Sequence, residues 1–178
     1  MPRLISDIVK YKVDMTGERS FFVSGEVNVE MLKHVYTYLN LFGAEKPITM
    51  VLNSDGGDLG IGFAIYDMIV NHPSEVNIIV SGCASSAASV ILQAGFTRFI
   101  TKSSYVMIHM GGLEISPGMS AANKKAWMRV ADLHTDRMIN LYSDLIRIPP
   151  SEVRKVIKVD QIYVGHEAVK AGLCDIVV

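Results

Sequence analysis

Twice in this chain an apolar run of strand length leads through small and polar residues straight into a helical pattern. The first instance runs from Ile48-Thr49-Met50-Val51-Leu52 through Asn53-Ser54-Asp55-Gly56-Gly57 to a helix over Leu59 to Val70. The second runs from Val76-Asn77-Ile78-Ile79-Val80 through Gly82-Cys83-Ala84-Ser85-Ser86-Ala87-Ala88-Ser89 to a helix containing Val90-Ile91-Leu92-Gln93-Ala94. The same alternation continues elsewhere. Strands are predicted over Phe21 to Val27, Arg98 to Thr101, Tyr105 to His109 and Ile176 to Val178, and helices over Val29 to Phe42 and Ser120 to Arg147. Pro149-Pro150 ends the long helix, and Ser151 is placed to cap a short one after it. Alternating strands and helices argue for an α/β fold. Apolar runs without polar alternation suit strands buried on both faces, or apolar surface hidden in an oligomer. With no linker, repeat or low-complexity stretch, residues 1–178 read as one domain.

Charge excludes some classes of partner. Seventeen basic and 18 acidic residues are well mixed, giving a net charge of −1, so nothing suggests a nucleic-acid or polyanion surface. Hydrophobic residues make up 49% of the chain, yet no apolar run reaches the roughly 18–20 residues of a membrane span. The N-terminus lacks the apolar core of a signal peptide. Cys83 and Cys174 have no metal-ligand spacing, and a reduced, cytoplasmic setting with no metal or organic cofactor is expected.

The serine turn is the stretch best suited to chemistry. Small residues let the backbone turn tightly, and a helix start leaves N–H groups free beside a hydroxyl. Such N–H groups stabilise a developing oxyanion, which serves acyl transfer; the same residues also suit an ordinary helix cap. Of five histidines, His34 and His134 fall on helices, His72 precedes a proline and His166 begins a helix. His109 differs, because it ends an apolar strand before a glycine-rich loop. Functional sites in α/β sheets gather at the carboxyl ends of strands, where both Ser86 and His109 fall. The turn at Asn53 to Gly57 has neither the phosphate-loop nor the dinucleotide glycine pattern, so an oxyanion donor is the better reading of its paired glycines. The serine turn also lacks the Gly-x-Ser-x-Gly elbow of α/β-hydrolases.

Five short motifs in order resemble the proteolytic subunits of Clp proteases, within the ClpP/crotonase superfamily. They are Asn53-Ser54-x-Gly56-Gly57, Ala64-Ile65-Tyr66-Asp67, Gly82-x-Ala84-x-Ser86, Val106-Met107-Ile108-His109 and Glu167-Ala168-x-x-x-Gly172-Leu173-x-Asp175. The similarity runs from about Glu18 to Asp175. It implies a fold of repeated β-β-α and βα units, with a leader over residues 1–17 and a protruding handle over about 110–147. It also implies a serine endopeptidase in which Ser86 is the nucleophile, His109 the general base and Asp160 the residue that orients the imidazole. The oxyanion donors map to the backbone N–H groups of Gly57 and Ala87. Gly56 and the segment Gly112-Leu113-Glu114-Ile115 would bind an extended polypeptide substrate. The family further implies a homo-oligomer, a heptameric ring with two rings stacked in many cases, working with an AAA+ unfoldase.

The chain departs from the family pattern around assembly rather than chemistry. Asp55 stands where the family usually has proline, Met110-Gly111-Gly112 replaces Gln-Pro after the histidine, and the stretch from His109 to Asp160 is slightly longer. Val159 takes the place of an arginine that couples activity to ring stacking. Thr49 and Val51 occupy positions that are often aromatic in the ATPase docking pocket, and the leader is short. Other readings are therefore a self-standing peptidase of viral-prohead type without an ATPase, a structural ring subunit with little activity, and an acyl-CoA enzyme of the crotonase branch.

Overall fold

A computed structural model describes residues 17–112 and 118–178. Its elements follow the order β1 (Ser20–Val27), α1 (Val29–Phe42), β2 (Ile48–Gly57), α2 (Leu59–Val70), β3 (Val76–Ser85) and α3 (Ala87–Leu92). Then come β4 (Arg98–Ile100), β5 (Tyr105–Ile108), α4 (Ala121–Ile146), α5 (Pro150–Val156), β6 (Gln161–Val164), α6 (His166–Lys170) and β7 (Ile176–Val177). The strands form one sheet in which β1-β2-β3-β4-β7 are parallel neighbours. The mixed α/β architecture and its mainly parallel sheet are those expected.

Ile48, Met50 and Leu52 of β2 and Ile78, Ile79 and Val80 of β3 are completely buried, as strands covered on both faces require. At about 25 cal/mol per Å² of apolar area removed from water, such runs are the main favourable term of folding. The helices have the caps that their sequences supply. Asn28 accepts from Met31 N at the start of α1, and Asp58 accepts from Ile61 N at the start of α2.

The strand ends differ from the sequence reading in a way that matters. β2 does not stop at Leu52 but continues through Asn53 to Gly57, with Ser54 opposite Ala84 and Gly57 opposite Val27. The polar residues of this extension are paired. Ser54 Oγ donates to Gly25 O at 2.5 Å, and Asn53 Oδ1 accepts from Cys83 N at 3.1 Å. β3 likewise runs to Ser85, so the turn is confined to Ser86, and α3 begins at Ala87 rather than near Val90. Local polarity suggested loops, but neighbouring strands supply the missing backbone partners.

Gly82 is where β3 changes neighbours. Residues Ile78–Val80 pair with β4, whereas Cys83–Ser85 pair with β5. Gly82 has φ +113°, its N–H donates to Ser104 Oγ at 2.7 Å, and an added Cβ would lie 2.2 Å from Asn53 Oδ1. Only glycine meets both the dihedral and the contact.

Two features differ from the sequence reading. β6 was not foreseen, and it pairs antiparallel with β5. The short helix α5 starts from Pro149 with Pro150 as its first residue, and no side chain caps it, so Ser151 lies inside the helix. A proline at the first helical position lacks only a hydrogen bond that the helix would not have made. The long helix α4 ends at Ile146 with Arg147 left-handed. All residues of α4 from Ala121 to Val130 are exposed, whereas Met138, Ile139 and Tyr142 pack into the core. Arg137 fastens the packed half to α2, pairing with Asp67 and lying 4.2 Å above the Phe63 ring. No helix among the described residues is long and apolar enough to cross a membrane.

Gly82→Ala is expected to lower the free energy of unfolding by about 2–4 kcal/mol, from backbone strain plus the collision with Asn53. Gly111, whose added Cβ would meet nothing within 4 Å, is the control. Gly111→Ala should change stability by less than about 0.5 kcal/mol, and urea titration of the two variants reads both values.

Candidate active site

Strand register brings three distant side chains together. Ser86 follows Ser85, which is paired with Met107, and Ser86 N donates to Met107 O at 2.9 Å. His109 follows directly after β5. The antiparallel pairing of Ile108 with Gln161 then sets the next residues, His109 and Asp160, opposite each other. Met110 N donates to Ile157 O at 2.7 Å and closes the two segments beyond that point.

The result is one chain of hydrogen bonds. His109 Nε2 lies 2.8 Å from Ser86 Oγ, and His109 Nδ1 lies 3.2 Å from Asp160 Oδ1. The imidazole side chain is 30% exposed and the carboxylate 62%, so the pair is open to water on the Asp160 side. An imidazole held between a hydroxyl and a carboxylate is suited to take the hydroxyl proton, with the carboxylate selecting the tautomer.

Ser86 has φ +53° and ψ −122°, a conformation that costs a non-glycine residue on the order of 1–3 kcal/mol. The structure holds it at both ends, through its N–H to Met107 O and through its carbonyl, which accepts from Ser89 N at 3.0 Å. Its hydroxyl caps nothing in α3 and is left to face His109. Ala87 N–H is the first of that helix and has no acceptor one turn back within it.

The two small-residue turns touch. A Cβ on Gly56, which has φ +102°, would lie 2.7 Å from both Ser85 O and Ser86 Cβ, and 3.2 Å from Ala87 N. Gly56 is thus buried packing against the serine turn, whereas Gly57 and Ser86 open onto a cleft of about 530 Å³. Gly111 and Gly112 also line it. Leu113, Glu114 and Ile115, expected at the substrate segment, lie outside the described residues, as does the leader up to residue 16.

The far wall of the cleft comes from α4, with Trp127, Val130, His134 and Met138. In the sequence these four fall within the long predicted helix, and none stands out as a site residue. Their signal was a tryptophan and a valine on a helix otherwise rich in charge, neither of which is buried. His34 and His72 make local bonds, to Phe22 O at 2.9 Å and to Ser74 N at 3.1 Å.

Both cysteines are poor nucleophiles. Burial, and then the neighbouring Asp55 carboxylate 3.3 Å from its sulfur, push the Cys83 thiol up. Asp55, in the place of the usual proline, is therefore accommodated by a sulfur donor. Burial pushes the Cys174 thiol up to about 12. A raised thiol holds little thiolate, the reactive form. Among the described residues, no group of three or more His, Cys, Asp or Glu is placed to hold a metal ion.

Comparison with known proteins agrees with this fold. A model of the Clp protease family matches residues 6–178. The ATP-dependent Clp protease proteolytic subunit of Ligilactobacillus salivarius is 34% identical over 166 residues, covering 89% of this chain and 82% of the relative. Subunit 1 of the same protease from Chlamydia pneumoniae is 30% identical, covering 96% of this chain and 91% of the relative. The Deinococcus radiodurans proteolytic subunit is 28% identical over 98% of this chain and 94% of its own length. With the match spanning nearly every residue, the chain belongs to the Clp protease family and is a serine-type peptidase.

Proposed function

We propose that this chain is a serine endopeptidase acting on unfolded polypeptides or short peptides through Ser86, His109 and Asp160. The observation that carries the reading is the unbroken Ser86–His109–Asp160 hydrogen-bond chain at the edge of a cleft that also exposes Gly57. Ser86 Oγ attacks the scissile carbonyl while His109 Nε2 takes its proton. Asp160 holds the other ring nitrogen as the donor. The backbone N–H groups of Gly57 and Ala87 receive the oxyanion, and His109 then returns the proton to the leaving amine. Water completes the second half of the cycle by the same route.

Asp160 is largely exposed, so its electrostatic effect on the imidazolium is screened, and its role is mainly to select the tautomer. The substrate lies extended beside Gly112, with side chains entering the cleft between the Gly57 turn and α4. No organic cofactor or metal takes part in this sequence of steps.

The peptidase assembles into a closed ring of seven, alone or stacked on a second ring, and receives chains from an AAA+ unfoldase in the cytoplasm. Support for assembly is the apolar surface left open on α4 outside the cleft, where Met128 is 48% and Leu133 59% exposed and extensive subunit contacts would cover them. A second reading, a self-standing peptidase of this fold, is favoured by Thr49 and Val51. These sit where docking aromatics are common, and Val51 is buried.

Ser86→Ala is expected to abolish peptide hydrolysis and fluorophosphonate labelling while the native mass stays that of the wild type. Retained labelling would remove Ser86 from its role. Asp160→Asn should lower kcat by about 10⁴-fold, because the amide favours the wrong imidazole tautomer, an effect that water screening of the carboxylate charge does not reduce. Native mass spectrometry of the wild type should give seven or fourteen copies. Added Clp ATPase and ATP should accelerate degradation of a folded tagged protein; no acceleration favours the self-standing peptidase.

A further inference from the structure

The serine turn carries a buried polar chain that the reaction above does not itself consume. Ser89 Oγ donates to Ser86 O at 2.5 Å, beside the bond from Ser89 N to the same oxygen at 3.0 Å. Ser89 is fully buried, and its hydroxyl also contacts the hydroxyl of Tyr142 from α4. A serine hydroxyl has one proton, and here it goes to Ser86 O, so Tyr142 is the donor in the second bond. Burial raises the Tyr142 phenol, which keeps that proton in place.

The Ser86 carbonyl and the Ala87 N–H belong to one planar peptide and point in opposite directions. Whatever fixes the carbonyl therefore aims the N–H. Two hydroxyls buried in an apolar interior are costly unless bonded, and this pair is bonded to each other and to that single carbonyl. An oxyanion donor works by being aimed in advance at where charge develops.

We propose that Ser89 and Tyr142 are positioning residues, which lock the Ser86–Ala87 peptide so that Ala87 N–H faces the oxyanion. The inference rests on the reading of Ser86 and Ala87 given under the proposed function. Neither residue touches substrate. Their effect passes through one peptide plane, and it makes the orientation of the oxyanion donor depend on the seating of α4.

The test compares Ser89→Ala, Ser89→Thr and Tyr142→Phe in the full chain. The readouts are kcat and KM on a fluorogenic peptide, affinity for a peptide boronate, and thermal unfolding. The boronate forms a tetrahedral adduct on serine with an oxygen at the oxyanion position. Ser89→Ala should lower kcat by about ten-fold with KM within about two-fold, and boronate affinity should fall by the same factor as kcat. Tyr142→Phe should shift both in the same direction by a smaller factor, and Ser89→Thr, which keeps the hydroxyl, should recover most of the loss. A kcat in Ser89→Ala within about two-fold of wild type would overturn the proposal, as would a lower kcat with unchanged boronate affinity. Ser89→Ala only removes an atom and decides the question even where the other variants do not fold. Labelling of Ser86→Ala probes the underlying reading separately, so failure of the nucleophile and failure of the positioning chain give different results.

Discussion

Everything at the candidate site hangs on the pairing of β3. That strand is parallel to β2 along one edge and passes from β4 to β5 along the other, with the break at Gly82. Its end presents Ser86. Its neighbour β2 ends at Gly57, and its other neighbour β5 ends just before His109. Parallel strands in register place all three ends at one edge of the sheet, where side chains and N–H groups left over from the ladder are free to meet a substrate. Glycine at position 82 permits the crossover because the backbone there needs a positive φ and has Asn53 against it.

The strained conformation of Ser86 follows from the same arrangement. A positive φ on a serine persists only where surrounding bonds determine it, and here bonds to Met107 O and from Ser89 hold both sides of the residue. Small residues on both turns let Gly56 pack against the serine backbone. The departures from the family pattern fit around this core without entering it. Asp55 finds the Cys83 sulfur, and Val159 is exposed beside Asp160.

Much of this was legible in the residues. Helices Val29–Phe42 and Leu59–Val70 carry their own caps and apolar faces, and the structure has them at the expected bounds. The boundaries of β2 and β3 were not legible, because Asn53-Ser54-Asp55 and Gly82-Cys83 look like loops until neighbouring strands supply their bonds. β6 was hidden for a related reason. Gln161 to Val164 is four residues long and only half-buried in alternation, and among the described residues β5 is its only partner. Ser89 read as a small packing or capping residue, and its bond to Tyr142 joins positions 53 residues apart.

The sequence by itself determined the class of fold and, through five ordered motifs, the family. These depend on local patterns of polarity and on short runs of residue types, which need no knowledge of what packs where. The tertiary structure alone decided that His109 faces both Ser86 and Asp160, because that meeting depends on an antiparallel register set by β6. It also decided that the polar turns are strand ends and that α4 forms a wall of the cleft. Hydrogen-bond partners far apart in the chain carry no local signature, so a serine that aims a peptide and a serine that merely fills space are written alike.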